Sequence, residues 1–114
     1  FPYTTLFRSI IKNYVHSSEK NGKVVLSGMG KAGQIALNIS TTLSSTGTPS
    51  VYLHPSEAQH GDLGILCKDD VLILLSNSGK TREILELIML SRILHPDVKV
   101  ISITGKTNSP LAEN

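Results

Sequence analysis

The sequence predicts an α/β fold in which helices cover both faces of a parallel β-sheet, a three-layer αβα sandwich. Segments of strand length alternate with segments of helical periodicity from residue 10 onward. The apolar run 71–75 has no polar interruption, which is typical of strands buried on both faces of a parallel sheet. Strand–helix–strand alternation with short links implies right-handed crossovers between parallel strands.

The predicted elements follow in regular order. Short apolar segments predict strands at residues 23–26, 51–53, 71–75 and 98–103. Apolar residues three and four positions apart predict helices at residues 10–15, 32–43 and 84–94, with Ile35, Ile93 and Leu94 in their apolar stripes. Gly22 stands at the expected end of the first helix. Gly47 with Pro49 ends the second helix, and Pro96 ends the third.

Length and charge limit the possible functions. A chain of 114 residues fits one domain, and a net charge of +2 with scattered Lys and Arg residues argues against a nucleic-acid partner. No apolar run reaches the length of a membrane span, so we expect no membrane partner. The single Cys67 excludes an internal disulfide, and no signal peptide is visible. We therefore predict a cytoplasmic protein.

Both ends of the chain differ from the regular middle. Residues 1–9 show neither periodicity nor a helix cap, and we expect them to be a non-native or disordered leader to a domain at residues 10–114. The chain ends shortly after the fourth predicted strand. We therefore expect the sheet to be truncated at its C-terminus.

A glycine-rich segment follows the first predicted strand. Gly28, Gly30 and Gly33 match the GxGxxG pattern of dinucleotide sites. Such a site also needs an acid at the end of the second strand, and the first carboxylate there is Glu57, beyond Pro55 in the chain. The glycines alone can serve a tight turn, which is about as probable as a ligand site. Lys31 favours the ligand site, since a cation opposes the helix dipole but suits an anionic or carbonyl-bearing ligand.

A hydroxyl-rich segment follows the third predicted strand. Its end, Gly79 to Thr81, resembles a phosphate-binding P-loop, but Leu74 stands where that motif needs its first glycine. The remaining Ser-x-Ser-Gly-x-Thr pattern places hydroxyls and amide groups at the start of a helix, where phosphate binds readily. The segment comprises Ser76, Asn77, Ser78, Gly79, Lys80 and Thr81. A plain helix N-cap at Ser78 is the alternative, although it needs only one hydroxyl.

Titratable residues surround these segments. Glu83, one turn inside the third helix, is equally suited to compensating the helix dipole and to acting as a general base. The long loop after the second strand carries His54, Glu57, His60 and Asp62, and Ser56 is positioned to cap a short helix through His60. No zinc spacing is present, so we predict no metal. His60 suits a pocket wall and an exposed surface about equally.

The order and spacing of four motifs resemble the SIS (sugar isomerase) domain of bacterial arabinose-5-phosphate isomerases. The motifs are Gly28-Met29-Gly30-Lys31, Ser45-Thr46-Gly47-Thr48-Pro49-Ser50, His54-Pro55-x-Glu57-Ala58-x-His60-Gly61-Asp62-Leu63-Gly64 and Ser76-Asn77-Ser78-Gly79. The resemblance implies a flavodoxin-like fold. It also implies interconversion of arabinose 5-phosphate and ribulose 5-phosphate through an enediol, on the route to the Kdo sugar of lipopolysaccharide.

The resemblance also implies residue roles. Phosphosugar binding would fall to Gly30, Ser76, Asn77, Ser78, Gly79 and Thr81, and catalysis to Lys31, Glu83 and His60, without a cofactor. Lys80 stands where many relatives have Glu. The family assembles as homodimers or homotetramers, and its other catalytic Glu and His lie beyond Asn114, so we expect the 114-residue chain to be inactive. A non-catalytic phosphosugar-binding module of a transcriptional regulator is the main alternative, and a dinucleotide oxidoreductase is third.

Overall fold

The computed structural model describes residues 22–59, 61–77 and 81–105. Four strands are present in this part: β1 Val24–Gly28, β2 Ser50–Tyr52, β3 Val71–Ser76 and β4 Lys99–Thr104. The helices are α1 Gly30–Ser45, α2 Pro55–Gln59, a 3-10 helix Asp62–Ile65 and α3 Arg82–Leu94. The predicted leader 1–9 and the predicted first helix lie outside the described residues. None of the described helices combines the length and the apolar character needed to cross a membrane.

All four strands run parallel in the order β2–β1–β3–β4. The predicted α/β class and parallel sheet are therefore confirmed. Strands β1 and β3, separated in the chain by α1 and β2, are neighbours, with Gly28 paired with Leu75 at their carboxyl ends. The order of connection thus reverses between β1 and β3, and such a reversal leaves a crevice at the edge of the sheet.

Helices lie on both faces of the sheet because strand side chains alternate between its faces. One face packs against α1, through buried residues that include Leu26, Ile73, Ala36 and Leu43. The opposite face packs against α3 and the segment containing α2 and the 3-10 helix, through buried residues that include Val25, Leu72, Ile84 and Leu87. The sheet is therefore the middle one of three layers, as predicted.

The predicted apolar stripes of the helices are wider than the helix faces that the structure buries. Ile35 in α1 is 53% exposed, and Ile93 and Leu94 at the end of α3 are 70% and 52% exposed. A 3.6-residue repeat leaves the edges of a broad stripe pointing away from a flat sheet, so only its centre is buried. Within the described residues, these three side chains are surface features and not core residues.

The predicted end of α1 is confirmed. Gly47 has a φ of +95°, which a glycine adopts without steric cost. The N–H of Thr48 donates to the carbonyl of Leu43 over 2.9 Å, and the N–H of Gly47 donates to that of Ser44 over 3.3 Å. These two bonds form a Schellman motif, which closes the helix and turns the chain toward β2.

A buried ion pair joins the beginnings of β1 and β3. The Asp70 carboxylate accepts hydrogen bonds from the backbone N–H of Lys23 (2.9 Å), from the Lys23 ammonium (2.5 Å) and from the N–H of Cys67 (2.8 Å). Only 2% of the Asp70 side chain is exposed, against 22% of that of Lys23. This ion pair joins the amino ends of β1 and β3, at the end of the sheet opposite to the crevice.

The short helix α2 begins earlier than predicted. Ser56 is not its cap, because it lies inside the helix, and the Nδ1 atom of His54 accepts the Ser56 N–H over 3.1 Å. Pro55 occupies the first helical position, where a missing N–H is harmless. The helix ends at Gln59, and the predicted last residue, His60, lies outside the described residues.

Candidate functional site

The carboxyl ends of β1 and β3 bring two predicted site segments side by side. Adjacent strands in a sheet are about 4.8 Å apart. Gly28 pairs with Leu75, so the turn that leads from Gly28 to Lys31 begins beside Ser76. Both segments then lead to the amino ends of helices, α1 and α3. The crevice between β1 and β3 is therefore the candidate site.

Each glycine of the first segment has a separate geometric role. A Cβ atom on Gly33 would lie 2.6 Å from the carbonyl oxygen of Gly28, so only glycine allows α1 to pack this closely on β1. Gly30 has a φ of +60°, with open space around it among the described residues. The glycines therefore form a tight strand-to-helix turn, which was the alternative to a ligand site in the interpretation of the glycine pattern. They leave Gly30 and Lys31 exposed at the crevice.

The amino end of α1 is open to a ligand. Met29 occupies the N-cap position, its side chain makes no capping hydrogen bond, and the first turn contains no acidic residue. Lys31 makes no hydrogen bond or ion pair with the part of the chain that the structure describes. A positive helix end and a cation therefore face the same edge of the sheet, which favours a negatively charged ligand.

The hydroxyls of Ser76 and Thr81 meet at the end of β3, with their oxygen atoms 2.8 Å apart. Ser76 is buried and Thr81 is half-buried. Thr81 is also the N-cap residue of α3, but its side chain does not cap the helix. The alternative N-cap was Ser78, whereas the N-cap residue of α3 is Thr81. Neither Thr81 at α3 nor Met29 at α1 makes a capping hydrogen bond through its side chain.

Asn77 is held between β3 and the end of β4. Its carbonyl oxygen accepts the N–H of Gly105 over 3.1 Å, while its side chain remains exposed. A Cβ atom on Gly105 would lie 2.5 Å from the Asn77 Oδ1 atom. The glycine that follows β4 therefore leaves room for the Asn77 side chain beyond the ends of β3 and β4.

Two charged residues open α3. Glu83 lies in its first turn and is half-buried. Arg82 is exposed, and its Nε atom donates to Glu86 Oε1 over 2.8 Å. The hydrogen bond and the negative charge of Glu86 raise the pKa of Arg82. Arg82 is therefore engaged with Glu86 along the helix surface.

A concavity of about 590 Å³ opens at the end of β2, beside α2 and the 3-10 helix. It is lined by Tyr52, Leu53, His54, Glu57, Gly61, Asp62, Gly64 and Ile65. Three of the four titratable residues predicted in this loop, His54, Glu57 and Asp62, thus share one surface. Within residues 22–59, 61–77 and 81–105, no three His, Cys, Asp or Glu side chains are arranged to hold a metal ion.

Tyr52 connects this concavity with the crevice, and it was not among the predicted site residues. Its hydroxyl donates to the carbonyl of Gly28 over 2.8 Å, and its ring meets that of His54 edge to face at a centroid distance of 6.4 Å. Burial raises the pKa of Tyr52. A tyrosine near the end of the second predicted strand is the sequence signal that could have identified it.

The structure thus brings together six of the nine predicted site residues at one edge of the sheet: Gly30, Lys31, Ser76, Asn77, Thr81 and Glu83. The other three, His60, Ser78 and Gly79, lie outside the described residues. Their roles stay predictions. No NAD-type site is supported by the end of β2, where Tyr52, Leu53 and His54 stand in place of a ribose-binding acid.

The parallel sheet and its crevice define an α/β domain of the class that binds small ligands at the carboxyl ends of its strands. The family to which the sequence belongs is a more specific finding than this class. The SIS domain family matches residues 18–114, and the chain therefore belongs to the SIS domain family.

Among curated proteins, the chain is similar to the arabinose 5-phosphate isomerase KdsD of Pseudomonas aeruginosa, with 52% identity over 92 residues. The match covers 81% of this chain and 28% of the relative, so the chain spans less than a third of that protein. The arabinose 5-phosphate isomerase KpsF of Escherichia coli O6:H1 is also 52% identical, over 82% of this chain and 28% of its own length.

Two solved structures share the fold closely. A candidate phosphosugar isomerase involved in capsule formation, from Bacteroides fragilis, superposes with a TM-score of 0.87 at 58% identity, covering 97% of this chain and 57% of that one. The protein c3406 of E. coli CFT073, solved in complex with arabinose 5-phosphate, gives a TM-score of 0.81 at 41% identity, covering 96% of this chain and 54% of that one.

Proposed function

We propose that the protein to which this chain belongs is an arabinose 5-phosphate isomerase, and that the crevice between β1 and β3 binds its phosphosugar. The observation that carries the proposal is the Ser76–Thr81 hydroxyl pair at the uncapped amino end of α3, beside the turn that presents Lys31. The 52% identity to the KdsD enzyme supports the choice of substrate.

The phosphate would bind at the start of α3. Thr81 occupies the N-cap position without capping, so its hydroxyl and the first amides of the helix can turn toward a dianion. Gaining a phosphate bond would require the Thr81 hydroxyl to share or exchange its contact with Ser76. Ser78 and Gly79 complete the proposed cradle, with Asn77 at its rim.

The sugar would extend from this cradle toward β1 and Lys31. Isomerisation requires a base to remove the C2 proton of the aldose, which gives an enediol, and to return a proton to C1, while a proton moves from O2 to O1. Glu83 is the base that we propose, since its carboxylate opens the same helix as the cradle. The Lys31 ammonium would stabilise the oxygen that gains negative charge, with His60 as a further catalytic group.

The alternative is a phosphosugar sensor of a transcriptional regulator. The fold is compatible with phosphosugar binding of this kind, because the NanR protein of Vibrio vulnificus, solved in complex with ManNAc-6P, shares the fold with a TM-score of 0.72 at 19% identity. Lys31 and Glu83 favour the isomerase, since binding a phosphosugar without chemistry requires neither a base nor a polarising cation. We also propose that the protein is a cytoplasmic homodimer or homotetramer and contributes to Kdo and lipopolysaccharide synthesis.

The test is an assay of the full-length protein for interconversion of arabinose 5-phosphate and ribulose 5-phosphate. We expect turnover by the full-length protein and none by the 114-residue chain. Glu83→Gln in the full-length protein should abolish turnover and preserve phosphosugar binding. Binding is measured by thermal shift with arabinose 5-phosphate, glucosamine 6-phosphate and NAD. Binding without turnover by the full-length protein would favour the sensor, and a shift with NAD alone would overturn both functions.

A further inference from the structure

The connection between β1 and β2 continues beyond the point where their backbones pair. The last register pair is Leu26 with Tyr52, followed by the bond from the Leu53 N–H to the Leu26 carbonyl at 2.8 Å. Beyond this point, hydrogen bonds from side chains join the two strands. The Ser27 hydroxyl donates to the Leu53 carbonyl over 2.5 Å, and the Tyr52 hydroxyl donates to the Gly28 carbonyl over 2.8 Å. Both residues at the end of β1 are thereby attached to the end of β2.

The Tyr52 hydroxyl fits a gap that the absence of a side chain on Gly33 leaves open. A Cβ atom on Gly33 would lie 3.0 Å from this oxygen, closer than most real Cβ contacts. The Gly28 carbonyl oxygen thus lies close both to Gly33 of α1 and to the Tyr52 hydroxyl. Burial raises the pKa of Tyr52, so its hydroxyl keeps its proton and remains a donor at neutral pH.

Within the described part of the structure, the turn beyond Gly28 has one further backbone bond, from the Gly33 N–H to the Met29 carbonyl over 3.2 Å. Met29 makes no side-chain cap, and a Cβ atom on Gly30 would find no described atom within 4 Å. Gly30 also has a φ of +60°, and glycine passes between backbone conformations more easily than other residues. The Gly28 carbonyl, which the Tyr52 hydroxyl contacts, is thus the last anchored group before this turn leaves the sheet.

We propose that Tyr52 is a positioning residue for the ligand site: its hydroxyl holds the Gly28 carbonyl and thereby sets the turn that presents Gly30 and Lys31 to the sugar. The inference rests on the proposed function, because it assumes that a sugar occupies the crevice beside β1. Tyr52 contacts no reacting atom in this role. It acts on the sugar end of the site and leaves the phosphate end, at the start of α3, unaffected.

The test uses Tyr52→Phe, which removes only the hydroxyl, and Ser44→Ala as a matched control. The Ser44 hydroxyl likewise donates to a backbone carbonyl. It joins the C-terminal end of α1 to the start of β2, over 3.1 Å to the Ser50 carbonyl, away from the crevice. Both variants and the wild type are prepared as the full-length protein and titrated with arabinose 5-phosphate and with inorganic phosphate, and backbone amide resonances are followed by NMR. We expect Tyr52→Phe to weaken arabinose 5-phosphate binding about fivefold, the equivalent of one hydrogen bond, and to leave phosphate binding unchanged.

The resonances of residues 29–31 in the ligand-free chain provide a readout that needs no sugar. They should shift in Tyr52→Phe and stay in place in Ser44→Ala. Unchanged resonances, or an equal loss of affinity for both ligands, would overturn the role of Tyr52. An absence of arabinose 5-phosphate binding by the wild-type full-length protein would instead overturn the proposed function, so the two failures are distinguishable.

Discussion

The hydroxyl oxygens of Ser76 and Thr81 lie 2.8 Å apart, which joins the last residue of β3 to the residue that precedes α3. This contact spans the segment that carries Ser78 and Gly79. It also engages the Thr81 hydroxyl, which makes no capping hydrogen bond to α3. The proposed phosphate cradle depends on this pair of hydroxyls.

Removal of the Thr81 hydroxyl should weaken phosphosugar binding. Thr81→Val keeps the shape of the side chain and eliminates one hydrogen bond to a charged group, so we expect arabinose 5-phosphate to bind about tenfold more weakly. Isothermal titration calorimetry measures the change. Thr41→Val is the control, since the Thr41 hydroxyl donates to the Leu37 carbonyl on the exposed side of α1. Equal affinities for Thr81→Val and the wild type would contradict the proposed cradle.

Thr48 carries a buried hydroxyl that has no hydrogen-bond partner among the described residues. Burial of an unpaired hydroxyl is unfavourable, and valine has nearly the same shape, so Thr48→Val should raise the free energy of unfolding by about 1 kcal/mol. Urea denaturation gives the value. Thr48→Ala, which also removes a packed methyl group, should show no such gain. A clear loss of stability in Thr48→Val would mean that the hydroxyl has a bonding partner after all.

Asp70→Asn should destabilise the fold. The amide keeps the shape of the carboxylate but cannot serve all three donors, and it leaves the Lys23 ammonium without its counter-ion. We expect a loss of about 3 kcal/mol in the free energy of unfolding, as is usual when one partner of a buried pair is removed. Asp97→Asn makes the same change on the surface and should be neutral. Similar denaturation curves for the two variants would refute the structural role of Asp70.

Gly33→Ala should separate α1 from β1. The new Cβ atom would lie 2.6 Å from the Gly28 carbonyl oxygen, and backbone atoms cannot move as a flexible side chain can. We expect a loss of about 2 kcal/mol in the free energy of unfolding, together with shifted amide resonances of residues 29–31. Gly64→Ala is the matched control, because no described atom lies within 4 Å of its added Cβ. A thermal melt of Gly33→Ala that coincides with the control would exclude this packing argument.

Tyr52 should make stability depend on pH in the alkaline range. Burial raises its pKa above the ordinary value of 10.0, so the folded chain holds the phenolic proton more tightly than the unfolded chain does. The stabilisation is complete below the unfolded pKa and is lost as the pH rises through the higher, folded pKa. Tyr52→Phe should therefore lose less stability than the wild type between about pH 9 and pH 11. Parallel losses in urea denaturation across that range would show that Tyr52 ionises equally in both states.

Local sequence patterns predicted most of the architecture. The uninterrupted apolar run of β3 predicted a strand covered on both faces, and both faces are indeed covered. Gly47 predicted the end of α1, because few other residues adopt its backbone conformation. Strand ends differed from the predictions by only one or two residues, since the last residues of a strand are set by pairing with its neighbours.

The sequence did less well where a residue has two possible partners. Ser56 has the chemistry of a helix cap, but the helix already begins at Pro55, and the His54 ring accepts the Ser56 N–H at its start. Ser78 was the only candidate to cap the helix, and the structure shows instead Thr81 at the N-cap, with its hydroxyl directed to Ser76. Competition among neighbouring polar groups depends on distances that residue spacing does not contain.

The sequence by itself determined the alternation of strands and helices, the parallel sheet and the position of polar segments after β1, β2 and β3. These features follow from hydrophobic periodicity and from glycine and proline, which act over a few residues. Only the tertiary structure decided that β3 lies beside β1, that Tyr52 reaches the Gly28 carbonyl and that Asp70 binds Lys23. Those contacts join residues 24 to 47 positions apart, and the packing of the whole sheet brings them together.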